Sequence, residues 1–309
     1  EAGEDPKALE CIPMLKRSDI KREAAKIINE ELTVDDSLFL YHDVCTNGIG
    51  YVDLMFKTDS IAPEQIPYLG LLKSVLGYVD TENYTYGELF NEINANTGGI
   101  NCGVEVFDRA DSTEEFQAMF SVRGKALYTK MDFLFKMIGE ILNSSKLEDT
   151  KRLYEIVASV KSRAQVNLTG AGHSTAVLRA AAYSSPMAAF QDEMAGIGYY
   201  QFIEKLEKDF EQRKEETVEE LCKLMKKILR PENFMISYTG ERESLETVQK
   251  LTGTVKAGLG TEPVEKSKEK LTCTKKNEGF KTSGQVQYVA QTGNFKKKGL
   301  EYTLSLIHI

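Results

Sequence analysis

The spacing of apolar residues changes period along this chain, and that change limits its fold more than any single motif does. Val52, Leu54 and Phe56 alternate with Tyr51, Asp53 and Met55, which puts one set on each face of a strand. From Ile66 the interval lengthens: Ile66, Leu69, Leu72, Val75 and Leu76 recur at helical spacing and predict a helix with one continuous apolar stripe. A strand with one buried face and a helix with one buried stripe satisfy each other by packing together. The expected architecture is therefore α+β, a sheet with helices packed on one face.

The remaining segments fit that scheme. Leu38-Phe39-Leu40-Tyr41 is a short apolar run and Asn47-Gly48 a strong turn signal, so a pair of strands with one buried face is predicted on either side of the turn. A short helix from Tyr86 to Ile93, stopped by Gly98-Gly99, precedes two strand-like segments, Ile100 to Phe107 and Glu115 to Val122. From Lys125 the chain turns helical, with Leu127, Met131, Leu134, Phe135, Ile138 and Leu142 on one side, then Leu153, Ile156, Val157 and Val160. Pro186, Gly196 and Gly198 interrupt this region. Val218, Leu221, Cys222, Met225, Ile228 and Leu229 define a further helix ended by Arg230-Pro231, and Phe234 to Tyr238 reads as a closing strand.

The flanks differ from this centre. Residues 1–30 are charged and helix-prone, with Ser18-Asp19 placed to cap a segment running through Lys21 to Glu31, and are expected to form a helical linker or hinge. Residues 254–279 are rich in Lys, Glu, Thr and Gly without periodicity, which marks a linker. Gln285 to Ala290 has strand character, so 280–309 is expected to be the truncated start of a second domain, far short of the roughly 50 residues a domain needs. The central α+β domain then spans 31–253. The chain opens at Glu1 without a methionine and closes on Leu304-Ser-Leu-Ile-His-Ile309, a hexapeptide that resembles translated adaptor sequence; a fragment of a longer reading frame is expected.

Several chemistries find no support. The 39 basic against 47 acidic residues give a net charge of −8, and no basic block alternates with aromatic residues, which argues against nucleic acid as a partner. The five cysteines, Cys11, Cys45, Cys102, Cys222 and Cys273, are scattered and include no C-x-x-C pair, so neither a disulfide framework nor a zinc knuckle is expected. No apolar stretch reaches the ~18–20 residues that span a bilayer. Of the three histidines, His42, His173 and His308, none has a second histidine within helical ligand spacing. His42 and Cys45 lie an odd number of positions apart, so along a strand they would point to opposite faces. Gly170-Ala-Gly172-His-Ser174 satisfies neither the dinucleotide fingerprint nor the nucleophile elbow and reads as a break between two helices. No catalytic, cofactor-binding or metal-ligating residue is assigned.

Four runs nevertheless carry a resemblance: Ile12-Pro-Met-Leu-Lys-Arg-Ser-Asp-Ile20; His42-Asp-Val-Cys-Thr-Asn-Gly-Ile49 with Tyr51-Val-Asp-Leu54; Pro67-Tyr-Leu-Gly-Leu-Leu72; and Asn91-Glu-Ile-Asn-Ala-Asn-Thr-Gly-Gly99. Together the chain resembles the presequence protease branch of the insulinase (pitrilysin-type) zinc metallopeptidases, from about Ile12 to Thr303. The resemblance implies four homologous α+β domains in two halves that close around a peptide-sized chamber, with zinc held only in the first domain by H-x-x-E-H. It matches this chain to the third domain and the first strands of the fourth, preceded by part of the hinge.

Aligned through Ser74 to Leu76, the helix of this chain has Leu69 and Lys73 where the two histidine ligands would stand and Leu72 in place of the glutamate. The family's Arg and Tyr that stabilise the tetrahedral intermediate would lie beyond the chain, since Tyr302 comes too early to match. The resemblance thus implies a non-catalytic C-terminal-half segment of a zinc metalloendopeptidase that degrades unfolded peptides, supplying chamber wall and closing surface. The enzyme would be the full-length parent and not this segment. Zinc would sit in the N-terminal half of the same polypeptide, which would be the chain's partner together with unfolded peptides, with no membrane or nucleic acid involved. The alternative is a stand-alone scaffold or peptide-binding subunit of insulinase fold. Unpaired thiols and acidic charge favour a cytoplasmic bacterial protein, and an organellar matrix is also compatible, with a transit peptide upstream of Glu1.

Overall fold

The computed structural model describes residues 11, 13–20, 23, 26–109, 111–267, 269, 271–282 and 285–300. Its centre is one six-stranded mixed sheet in the order β1-β2-β6-β3-β5-β4. Strand β1 (Glu30–Val34) and β2 (Ser37–Asp43) form a hairpin whose two loop residues, Asp35 and Asp36, have φ of 47° and 63°. Two positive φ values make a tight turn matched to strand twist, and aspartate tolerates them better than most residues. The helix expected over Lys21 to Glu31 is not what forms at its described end. Residues 26–29 have no regular structure, and Glu30 and Glu31 pair with Tyr41 and Leu40. Leu32 and Val34, one strand repeat apart, pack on the core, and that alternating burial overrides the local helix propensity.

The Asn47-Gly48 turn, at φ 54° and 82°, leads into β3 (Ile49–Lys57), but β2 and β3 are not neighbours. Strand β6 (Phe234–Gly240) lies between them, parallel to β2 and antiparallel to β3. The predicted strands exist on either side of the turn, but they do not pair with each other. Phe234, Ile236 and Tyr238 point to the core face and fill the centre of the sheet, where Tyr238 stacks on Tyr41 with centroids 6.1 Å apart. The turn is tied to the end of β6 instead: Glu241 Oε2 accepts from the Gly48 N–H at 3.3 Å and from the Tyr128 hydroxyl at 2.7 Å. Strands β4 (Ile100–Asp108) and β5 (Phe116–Leu127) complete the sheet, with β4 at its edge. Strand β5 runs past Lys125, where helix was expected to begin, because Gly124 and Ala126 still pair with Val52 and Gly50.

The helices pack on one face. Helices α1 (Ile66–Val75), α3 (Met131–Ser144), α6 (Pro186–Ala195) and α9 (Leu245–Ala257) contact the strands, and α2 (Tyr86–Asn96), α4 (Thr150–Gly170), α5 (Gly172–Ala181), α7 (Ile197–Lys208) and α8 (Phe210–Ile228) pack on these helices and on one another. Phe39, Leu54, Phe56, Phe120, Val122 and Ile236 form the sheet side of the core and are fully buried. Helix α2 starts with a capping box, in which the Thr85 hydroxyl accepts from the Glu88 N–H and the Glu88 carboxylate from the Thr85 N–H. The Gly170 to Ser174 region is the break between α4 and α5, as its composition suggested.

Helix α1 departs from the one-stripe expectation, since Tyr68, Leu69, Gly70, Leu71 and Leu72 are all buried. It runs between β4 and helices α4, α6, α7 and α8, so hardly any of its circumference faces water. Gly70 makes this possible: a Cβ there would sit 2.6 Å from the Met194 carbonyl oxygen and 2.8 Å from the Tyr199 ring.

Helix α9 reaches Ala257, four residues into the stretch read as linker. The described residues beyond it are without regular structure apart from a turn at Lys296–Lys298 closed by Gly299 at φ 77°. No strand forms over Gln285 to Ala290. Val286 and Val289 are exposed there, Tyr288 lies against Gly172, and no described strand pairs with this stretch.

Candidate functional site

Helix α1 carries the positions where the resemblance places a degenerate metal motif, and they are filled with hydrocarbon. Leu69 is completely buried and Leu72 nearly so, while Lys73 at the same end is partly buried. A leucine offers no lone pair and an ammonium repels a dication, so these residues do not fit zinc. Among the described residues no three His, Cys, Asp or Glu side chains gather as a metal site.

The histidines and thiols are held apart in other roles. His42 Nδ1 donates to the Ile28 carbonyl at 2.7 Å and Nε2 meets the Ser237 hydroxyl at 3.1 Å, while the Cys45 thiol, in the exposed loop after β2, faces Asn47. His173 packs against the Tyr288 ring, and His308 lies outside the described residues. Burial pushes the Cys102 thiol up to about 12, far from a reactive thiolate at neutral pH.

Lys73 opens on a cavity of about 550 Å³ along the free edge of β4. Phe90 and Ile93 of α2 and Ile141 of α3 supply its apolar walls, Asn94 and Asn101 bring amides, and Arg163 of α4 adds a second cation. Burial lowers the Lys73 pKa, and no charged neighbour contributes to that shift. Glu105 borders the same cavity but is already bound by Arg123 Nη2 at 3.1 Å.

The second feature is the sheet face turned away from the helices. Register places Leu38, Tyr51, Asp53, Glu105, Phe107, Arg123, Lys125 and Leu127 on it, alternating with the core residues. Leu38, Tyr51, Phe107 and Leu127 are exposed there, a mixture of apolar and charged groups over one broad surface. At its centre Arg123 bridges Asp53, at 2.8 Å, and Glu105. Desolvation raises the Asp53 pKa despite the guanidinium, and its second oxygen is buried without a protein partner.

A third cluster escaped the sequence reading. Asp192, only 1% exposed, accepts from the Ile197 and Gly198 backbone N–H groups at 3.0 and 3.2 Å and pairs with Arg179 Nη1. A Cβ at Gly196 would approach Asp192 Oδ1 to 2.4 Å, and one at Gly198 would meet Glu193 Oε1 at 2.8 Å and Asp192 Oδ2 at 2.9 Å, so both glycines leave room for these carboxylates. Arg179 also binds Glu278 at 2.8 Å, and Tyr183 donates to the same carboxylate, so the segment after α9 is fastened to α5 and α6. These bonds hold the Glu278 carboxyl down to about 2. The paired glycines were the visible signal, but nothing local ties them to an arginine on another helix.

Comparison with known proteins places this geometry among relatives. A family model for the region associated with peptidases of family M16, subfamily C, matches residues 1–206. The chain is 36% identical over 298 residues to Protein HypA of Clostridium perfringens, covering 96% of this chain and 30% of that protein. It is 27% identical over 305 residues to "Presequence protease 1, chloroplastic/mitochondrial" of Arabidopsis thaliana, covering 97% and 28% respectively. Two solved structures share the fold: a peptidase M16 inactive domain from Pseudomonas fluorescens, with TM-score 0.51 at 13% identity over 76% of this chain and 52% of that one, and a protease from Helicobacter pylori, with 0.54 at 14% over 79% and 54%. The chain spans less than a third of these curated relatives and about half of these solved chains.

Proposed function

The chain belongs to the family associated with subfamily C of the M16 peptidases, as a presequence-protease-like segment outside the catalytic part, and from that premise we propose that it forms chamber wall and closing surface for a zinc metalloendopeptidase acting on unfolded peptides. The zinc would be bound by the N-terminal half of the same polypeptide, and residues 280–309 would begin a following homologous domain. The observation that carries this reading is the sheet face turned away from the helices, buried at Met55, Met119 and Ser121 but open at Tyr51, Phe107 and Leu127, which lie among Asp53, Arg123 and Lys125. A broad face of mixed character suits extended chains of varied sequence, whereas selection of one side chain needs an enclosed pocket with a few convergent polar groups. Enclosure then selects by size and by lack of stable structure, because a folded protein cannot enter a closed cavity. No helix among the described residues is long and apolar enough to cross a membrane, and the relatives include a bacterial protein and organellar ones. A bacterial cytoplasm or an organellar matrix suits the reading.

The test is reconstitution. The purified chain should neither retain stoichiometric zinc nor cleave an unfolded peptide, and cleavage should appear only when the N-terminal half and the remainder of the C-terminal half are supplied. Metal-dependent cleavage by the chain alone would overturn the proposal. Peptide binding by the chain with no effect of the added half would favour a stand-alone binding subunit.

A further inference from the structure

Lys73 stands apart from the other partly buried lysines of the fold. Lys161 pairs with Glu207 at 2.9 Å and Lys227 donates to Gln65 at 2.9 Å. Lys73 has no hydrogen bond or ion pair among the described residues. An ammonium taken out of water without a counter-charge is unfavourable, and it gains from any anion that can reach it. The cavity of about 550 Å³ on which it opens lies within the size range of small-ligand sites, ~300–1,000 Å³. Its one acidic wall residue, Glu105, is held by Arg123, which Asp53 shares, and the two cations Lys73 and Arg163 outnumber that single carboxylate on the wall. Phe90, Ile93 and Ile141 offer apolar surface beside that charge.

We propose that the cavity between α1 and the free edge of β4 binds a carboxylate attached to an apolar group, with the Lys73 ammonium as its counter-ion. Arg163 adds to the attraction, and the apolar substituent rests on Phe90, Ile93 and Ile141. Asn94 and Asn101 bring the only side-chain amides to the wall, placed to hydrogen-bond further polar atoms of the ligand. The carboxylate could belong to a small organic acid or to the C-terminus of a peptide. Neither source requires catalysis or the chamber described above.

Isothermal titration of the chain distinguishes them, using hexanoate, hexylamine, and an apolar hexapeptide with a free or an amidated C-terminus. Hexanoate or the free-acid peptide should bind, hexylamine and the amidated peptide should not, and rising salt should weaken binding. Binding of both acids assigns the site to the carboxylate itself, and binding of the peptide acid alone assigns it to a peptide C-terminus. Lys73→Met should reduce affinity roughly 10- to 100-fold, the value of one charged hydrogen bond. Lys73→Arg should retain binding, which separates loss of charge from loss of fold. The proposal fails if the amidated peptide binds as tightly as the acid, if Lys73→Met binds as well as the parent, or if neither acid binds.

Discussion

Replacing Asp192 by alanine tests the cluster that joins α5, α6 and α7. The side chain is 1% exposed and serves three donors at once: Arg179 Nη1 and the N–H groups of Ile197 and Gly198. Breaking a buried ion pair by removing one partner is worth about 3–5 kcal/mol, and the lower end applies because Arg179 keeps Glu278 as a second partner. Two N–H groups at the start of α7 lose their acceptor, at about 1–3 kcal/mol each if no water replaces it. These losses share one carboxylate and are not additive. The expected destabilisation is about 4 kcal/mol, a large part of the ~5–15 kcal/mol by which a domain is usually stable. Urea unfolding followed by circular dichroism measures it, with Asp192→Asn as the intermediate case that keeps one acceptor oxygen and loses the charge. A double-mutant cycle with Arg179→Ala should show a coupling of at least about 1 kcal/mol. A loss below about 1 kcal/mol for Asp192→Ala would refute the claim that this carboxylate joins the three helices.

Gly70→Ala should destabilise by about 1–2 kcal/mol: overpacking against the Met194 carbonyl and the Tyr199 ring outweighs the ~1 kcal/mol gained in helix propensity, and an unchanged or raised unfolding midpoint would contradict the close approach. The Glu278 carboxyl, held down to about 2 from 4.5 chiefly by its hydrogen bonds to Arg179 and Tyr183, fastens the segment after α9 at neutral pH; that contribution is complete above the unfolded pKa and fades as pH falls toward the folded one. Hydrogen exchange over residues 271–282 should therefore be faster in Glu278→Gln than in the parent at about pH 6, with the difference closing toward about pH 2. Equal protection in the two proteins at about pH 6 would remove the fastening role.

Much of the secondary structure was legible because it depends on local period. Val52, Leu54 and Phe56 announced a strand, and Met131, Leu134, Ile138 and Leu142 a helix, whatever their neighbours. Strand β1 was hidden because Glu30 and Glu31 favour helix locally and its turn is Asp35-Asp36, not Asn-Gly. That the strands on either side of Asn47-Gly48 do not pair with each other was hidden for a different reason. Turn chemistry shows where a chain reverses, not whether a distant strand such as β6 will enter the gap. At the candidate site, that Leu69, Leu72 and Lys73 offer a dication no ligand follows from residue types alone. The cavity beside Lys73 and the Asp192 cluster could not, because each is assembled from helices and strands far apart in sequence.

The insertion of β6 between β2 and β3 sets a schedule for synthesis. Leu38 pairs with Met235 and Phe56 with Phe234, so the hairpin β1-β2 and the trio β3-β5-β4 stay unjoined until the ribosome has made the chain past all of α1 to α8. At ~5–20 residues per second, the wait between completion of β3 and arrival of β6 is roughly 10–40 s. Throughout that interval the edges of β2 and β3 that β6 will occupy stay unpaired, open to solvent or a holdase. The slow, non-local pairing makes the last strand the clasp of the nascent domain, and a ribosome that pauses before Phe234 leaves an aggregation-prone intermediate, not a smaller folded protein.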